Sequence, residues 1–146
     1  KGSDINHYLR TLFEVRMKRH DVVLKATDAF LQAEVTVFPS TIYPVFVNII
    51  DNAIFWLKDI DREKTITLDV ANDGFLISNN GPLISSRDAN AIFDQGFTRK
   101  PGGRGLGLFI SKRALQKEGM EIEVLPSSGK HGVAMLIRWP RENDNT

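Results

Sequence analysis

The sequence predicts an α+β fold, a two-layer sandwich in which helices cover one face of a mixed β-sheet, and three observations lead there. From Phe46 the apolar residues Phe46, Ile49, Ile50, Ala53, Ile54 and Leu57 recur at i, i+3, i+4, i+7, i+8 and i+11, the single buried stripe of an amphipathic helix. Thr65–Ala71 and Phe75–Ser78 flank Asn72-Asp73-Gly74, a hairpin signal because glycine accepts the positive φ of a tight turn. Glu121–Leu125 and Val133–Trp139 read as two closing strands that follow a second helix, Leu106–Gln116. Helices and strands interleaved in this way bury their apolar faces by stacking one layer on the other.

Composition narrows the function classes. The chain has 146 residues, 42% of them hydrophobic and 25% charged, which describes one globular domain and excludes disorder and a collagen-like repeat. The absence of cysteine removes disulfides, thiolate catalysis and cysteine-ligated metals. Nineteen Lys and Arg against 18 Asp and Glu leave a formal charge of +1, so no global field argues for nucleic acid or an anionic membrane. No uninterrupted apolar run approaches the ~18 residues of a membrane span, and no cleavable signal is visible. The expectation is a cytoplasmic domain without direct membrane contact, cut from a longer protein because Lys1-Gly2-Ser3 lacks an initiator Met.

The elements follow in order. Residues 1–19 are expected to be the tail of a connecting helix, or equally an ordinary amphipathic helix of this domain, with residues 20–140 the domain proper and 141–146 a frayed tail. Val22–Lys25 and Glu34–Phe38, β-rich with a polar turn between them, predict an antiparallel pair. Ser40 or Thr41 would cap the long helix, placing Pro44 in its first turn, where a missing N–H is tolerated. Asn79-Asn80-Gly81-Pro82 would be a loop leaving the second hairpin strand. Ser85 or Ser86 would open a short helix through Ile92 and Phe93. Asp94–Arg104 reads as a polar, Gly-rich connection, and Gly119 suits the stop of the last helix. The sum is about six strands and three or four helices, without internal repeat.

Two features carry possible chemistry. Asn48, Asn52, Phe55 and Trp56 lie three or four residues apart on the face opposite the apolar stripe. Asn competes with the helix for backbone hydrogen bonds, so a pair at i, i+4 needs a reason. Either the face is solvated with a stray aromatic, or it is a ligand face whose carboxamide oxygens coordinate Mg²⁺ beside phosphate. Gly102-Gly103-Arg104-Gly105-Leu106-Gly107-Leu108 leads straight into a helix, where backbone N–H groups can approach an anion, with Thr98, Arg99 and Lys100 just upstream. It matches neither the P-loop nor the dinucleotide spacing, and a plain flexible, basic turn is the alternative.

The order and spacing of four segments resemble the ATP-binding domain of the GHKL superfamily, above all the catalytic domain of sensor histidine kinases, over His20 to Pro140. Asn48-Ile49-Ile50-Asp51-Asn52-Ala53 is similar to the N box, Asn79-Asn80-Gly81-Pro82-Leu83-Ile84 to the G1 box, Ile92-Phe93-Asp94-Gln95-Gly96-Phe97 to the F box and Gly103–Leu108 to the G2 box. The resemblance implies the Bergerat fold. It also implies ATP and ADP as ligands with Mg²⁺ on Asn52, and Asn48 beside the phosphates. Trp56, Asn79, Gly81 and Ile84 would then lie around the base, and Phe97, Thr98, Gly103, Gly105, Leu106, Gly107 and Leu108 around the triphosphate. Residues 94–102 would form a short lid whose Phe97-Thr98-Arg99-Lys100 resembles that of nitrogen-regulator-like kinases, making Arg99 or Lys100 the γ-phosphate contact. The implied partners are a histidine-bearing dimerisation domain outside these residues and a response-regulator receiver domain.

The sequence departs from the family pattern where chemistry is decided. The family's G1 box begins with Asp, which accepts from the adenine amino group, whereas position 79 is Asn. Its carbonyl can accept from that amino group and its NH₂ can donate to the neighbouring ring nitrogen. Losing charge assistance costs on the order of 1 kcal/mol, or roughly tenfold in affinity. The second G1 glycine is replaced by Leu83, and Phe55 stands where many kinases carry a base. Hydrolytic members place a Glu four residues before the metal Asn, and here that residue is Asn48. An amide cannot take a proton from water, whereas a neutral imidazole acceptor needs no such help. The expected reaction is transfer of the ATP γ-phosphate to a histidine outside this stretch. The alternatives are an ATP-hydrolysing or nucleotide-gated clamp of the same fold, or a non-catalytic interaction module. His7, His20 and His131 are expected to be surface or strand-edge residues, not the acceptor.

Overall fold

The computed structural model describes residues 1–82, 89, 91–94, 107–125 and 132–140. It comprises α1 (Gly2–Arg19), β1 (Val22–Ala26), α2 (Asp28–Gln32), α3 (Pro39–Leu57), β2 (Lys64–Ala71), β3 (Gly74–Asn79), α4 (Gly107–Lys117), β4 (Glu121–Val124) and β5 (Val133–Arg138). The five strands form one sheet in the order β1-β2-β3-β5-β4. β1 runs parallel to β2 and the other three pairings are antiparallel, so the sheet is mixed as predicted.

Burial alternates along the strands and assigns their faces. Ile66 and Leu68 of β2, Phe75 and Ile77 of β3, Ile122 of β4, and Val133, Met135 and Ile137 of β5 are buried beneath the helices. The intervening Thr65, Thr67, Asp69, Ser78, Ala134 and Arg138 are only partly covered, with Leu136 of β5 a buried exception on that face, which approximates the period of two expected for a sheet with one face packed. α3 supplies the opposite layer. Ile42, Val45, Phe46, Ile49, Ile50, Ala53, Ile54 and Leu57 are buried, so the predicted stripe is the observed one, extended by a turn upstream. Phe30, Phe46 and Phe75 join α2, α3 and β3 through tilted and edge-on ring contacts. α3 is long and apolar enough to cross a membrane by length and composition, but that apolar stripe is spent on this core.

α1 packs as part of the same layer. Ile5, Leu9, Phe13 and Met17 recur at i, i+4, i+8 and i+12 and are buried in the common core. Tyr8 stacks on Tyr43 of α3 at 4.8 Å between ring centroids. One turn from its end, Arg16 pairs with Asp51 of α3 at 2.5 Å.

Four local expectations are corrected. Glu34–Phe38 is not a strand: Val35 and Val37 are half-buried and their neighbours exposed, but the segment has no ladder, because β1 pairs with β2 instead. Alternating burial belongs to any extended arm lying on a core, so the pattern alone did not distinguish arm from strand. The N-terminal proline of α3 is Pro39, not Pro44, which lies inside the helix. Phe38 is the N-cap without a side-chain cap, and its own N–H donates to Oε1 of Glu118 just beyond α4, at 3.0 Å. A carboxylate from a distant element thus supplies the negative charge that a helix start favours.

Gly74 does not have a positive φ, although the two-residue hairpin at Asn72-Asp73 is present. A Cβ there would fall 2.0 Å from the carbonyl oxygen of Ile137, so close approach of β5 is what requires glycine. Asn79 does not begin the loop but ends β3, paired with Ile66 on one side and Val133 on the other. Gly119, at φ 74°, terminates α4 as expected.

Candidate functional site

Among the described residues, the predicted site residues Asn48, Gly107 and Leu108 gather at one place along α3, and Trp56, Asn79 and Gly81 at another. The nine residues from Asn48 to Trp56 span about 12 Å of helix, and each end of that span meets a different neighbour.

At the first end, Nδ2 of Asn48 donates to the carbonyl oxygen of Gly107 at 3.1 Å and to Oγ of Ser111 at 2.9 Å. The acceptors lie in the first two turns of α4, so α3 and α4 are joined where α4 begins. The space between them is small, since a Cβ on Gly107 would lie 3.4 Å from Cγ of Asn48. Ser111 is buried, and Leu108 turns into the core one residue after Gly107. Sequence reasoning missed Ser111; its signal was a small polar residue one turn into the helix that follows the glycine run.

At the other end, Asn79 is buried at 6% exposure on the helix-covered face of the sheet, a polar residue in the alternation otherwise held by Phe75 and Ile77. Its Oδ1 accepts the backbone N–H of Gly81 at 2.9 Å, and its carbonyl accepts the N–H of Gly132 at 3.0 Å. Gly81 lies against the last turn of α3, where a Cβ would meet Leu57 at 3.3 Å and the carbonyl oxygen of Trp56 at 3.5 Å. The indole of Trp56 is half-buried and packs on the core. Gly132 is required by contact: a Cβ there would fall 2.1 Å from the carbonyl oxygen of Gly81.

Asn80, unassigned from sequence, points the other way. Its Oδ1 accepts from Thr65 N–H at 2.9 Å, its Nδ2 donates to the carbonyl of Glu63, and Arg62 donates to its carbonyl at 2.6 Å. Neighbouring asparagines thus fasten the end of β3 on both sides.

Asn52 lies one turn beyond Asn48 and is half-buried. Among the described residues no three His, Asp or Glu side chains gather to hold a metal by themselves. One carboxamide oxygen completed by phosphate oxygens and water is a donor set that Mg²⁺ accepts, so Asn52 fits a shared site of that kind. The nearest carboxylate along the helix, Asp51, is held by Arg16 on the α1 side. His7 is exposed and His20 half-buried, where its N–H closes the end of α1. Ile84, Phe97, Thr98, Arg99, Lys100, Gly103, Gly105, Leu106, Leu83 and His131 lie outside the described residues.

Comparison with known proteins agrees with this fold. Residues 39–143 match the family described as histidine kinase-, DNA gyrase B-, and HSP90-like ATPase. Over 105 residues, 66% of this chain, the sequence is 34% identical to the sensor protein SrrB of Staphylococcus aureus, and the match spans 18% of that protein's length. The catalytic domain of the histidine kinase ThkA superposes with a TM-score of 0.73 at 26% identity, covering 94% of this chain and 92% of that one. A mycobacterial sensor histidine kinase, MprB, superposes with a TM-score of 0.67 at 26% identity, covering 90% and 89%.

Proposed function

This chain belongs to the histidine kinase-, DNA gyrase B- and HSP90-like ATPase family, and from that premise we propose that it is the Mg·ATP-binding catalytic domain of a sensor histidine kinase. It would pass the γ-phosphate of ATP to a histidine on a separate dimerisation domain, with a response-regulator receiver domain as the next acceptor. The domain would work in the cytoplasm, whatever anchors the rest of the protein.

The observation that carries this reading is the use made of Asn48. Both of its hydrogen bonds to α4 are donated by the NH₂ group. A carboxylate at 48 would have no proton to give the Gly107 carbonyl and would face it as a second acceptor. The contact between α3 and α4 is thus built for an amide, and an amide has no basicity with which to activate water. The carboxylate three residues on, Asp51, is committed to an ion pair with Arg16 on the α1 side. A histidine acceptor brings its own nucleophilic lone pair, so positioning and charge neutralisation suffice.

The roles follow along α3. Asn79 and Gly81, near Trp56, would receive the base. Asn48, Gly107 and Leu108 would border the phosphates, with Gly103, Gly105 and Leu106 completing the enclosure and Ile84 beside the base. Phe97 and Thr98 would lead into the cations Arg99 and Lys100, which would contact the γ-phosphate. Asn52 would hold Mg²⁺, which when bound neutralises phosphate charge.

Calorimetry with Mg·ATP and a steady-state hydrolysis assay on the same 146-residue chain test the proposal. ATP binding at millimolar concentration or below, without rapid turnover, is expected. Rapid metal-dependent turnover that Asp51→Asn abolishes would instead favour a hydrolytic clamp. Absence of nucleotide binding would favour a non-catalytic module.

A further inference from the structure

Beside its buried stripe, α1 carries a second apolar row that the described residues leave open. Tyr8, Leu12 and Val15 lie three or four residues apart and are 37%, 50% and 67% exposed. Ile5, Leu9, Phe13 and Met17 already join α1 to the core, so packing within the domain gives no reason for the second row. A single exposed apolar residue needs no explanation, but a contiguous row on one helix face marks a contact. Tyr8 is held ready for one by its stack on Tyr43.

Opposite charges frame the row. Asp4 lies one turn before Tyr8 and Arg19 one turn after Val15, on the same side of the helix. Asp4 and Arg19, Tyr8 and Val15, and Thr11 and Leu12 are each placed symmetrically about the point between residues 11 and 12. Arg19 is exposed. Asp4 is 69% exposed and meets the N-terminal ammonium at 3.6 Å, a loose surface pair that another cation can replace. A groove of about 510 Å³, lined by Asp4, His7, Tyr8, Thr11, Leu12 and Tyr43, sets a hollow next to the projecting Leu12.

We propose that this face of α1 binds the same face of a second copy of the chain, antiparallel about a twofold axis at Thr11 and Leu12. A twofold contact requires a surface complementary to itself. Antiparallel pairing sets Asp4 of each copy against Arg19 of the other, Tyr8 against Val15, and Leu12 into the groove beside Thr11. Parallel pairing would oppose Asp4 to Asp4 and Arg19 to Arg19, so charge selects the antiparallel form. The contact needs no separate dimerisation domain and involves none of Asn48, Asn52 and Asn79. One helix face is small for an interface, so the dimer is weak, with a dissociation constant on the order of 100 µM.

Sedimentation equilibrium of the chain from about 10 to 500 µM tests the proposal. A monomer–dimer equilibrium is expected, and Leu12→Asp, at an exposed position, should weaken it at least about tenfold. Asp4→Arg and Arg19→Asp should each weaken it too, because either reversal opposes like charges twice across the axis. An equimolar mixture of those two variants should recover the association of the parent chain, since each supplies the charge that the other's faces lack. Damage to the fold cannot produce that recovery. A chain that stays monomeric throughout overturns the proposal, and if it then binds anionic phospholipid vesicles the face belongs to a lipid surface instead. A dimer that Leu12→Asp leaves intact overturns it as well, as does a mixture that associates no better than its components. Should Leu12→Asp not fold, the mixture decides.

Discussion

At the β3 end of the site the backbone itself is the restraint, whereas at the α4 end a single side chain does the holding. Gly81 and Gly132 touch main chain to main chain, and Asn79 and Asn80 fasten the strand end above and below them. Across the site, α3 meets the start of α4 through the NH₂ of Asn48. Backbone packing leaves no alternative arrangement of comparable energy, because interiors are close-packed and Cβ-sized overlaps are not absorbed. A side-chain clamp can open by rotating χ angles and exchanging its partners for water. The difference separates a preorganised end from an end able to rearrange, and on the proposed reading that would suit a nucleotide whose base stays constant while its phosphates change.

The most severe way to break this comparison is at the rigid end. Gly132→Ala should cost about 3 kcal/mol, the upper part of the overpacking range, since the added methyl meets backbone and not a flexible side chain. Urea unfolding measures it, and an unchanged midpoint would show that the two segments part without cost. Asn48→Ala should cost less, about 2 kcal/mol, by stranding the Gly107 carbonyl and the Ser111 hydroxyl. Hydrogen exchange sharpens the point: amides in the first turns of α4 should lose protection while those of β3 keep theirs. Equal loss in both would mean that the ends are one cooperative unit. Arg16→Ala should have the smallest effect, below about 1 kcal/mol and fading as salt is added, because both partners of the Arg16–Asp51 pair are more than one-third exposed. A larger, salt-insensitive loss would assign α1 a direct part in holding α3.

How much of this was legible in the sequence depends on which force wrote each feature. The stripe of α3, the hairpin and the closing strands report burial, which is periodic and survives in the one-dimensional pattern. Glu34–Phe38 was misread because its alternation records one-sided burial without saying whether a neighbouring strand supplies hydrogen bonds. The role of Gly74 was misassigned for a related reason: a glycine placed to admit Ile137 of another strand looks the same in sequence as one placed for a turn. Motif order singles out Asn48, Asn79, Gly81 and Gly107, but not their hydrogen-bond and packing partners Ser111 and Gly132. Those contacts span 63 residues from Asn48 to Ser111 and 53 from Asn79 to Gly132, separations that no local period encodes. The swap of carboxylate for carboxamide at 79 was visible, yet its polarity was not, because the Gly81 N–H that orients it depends on the folded turn.

The carboxylate of Glu118 reaching the N–H of Phe38 has a consequence for how α4 can respond. Together with Asn48 it pins the helix near both extremities to the same antiparallel neighbour, one pin at the entrance of α3 and the other at its midpoint. A rod held this way can roll about its long axis or swing on whichever pin remains, but it cannot glide lengthwise. Strain arriving at Gly107 is therefore delivered as torque on α3, the element that carries both asparagines of the N box, and not as travel of α4 through the domain.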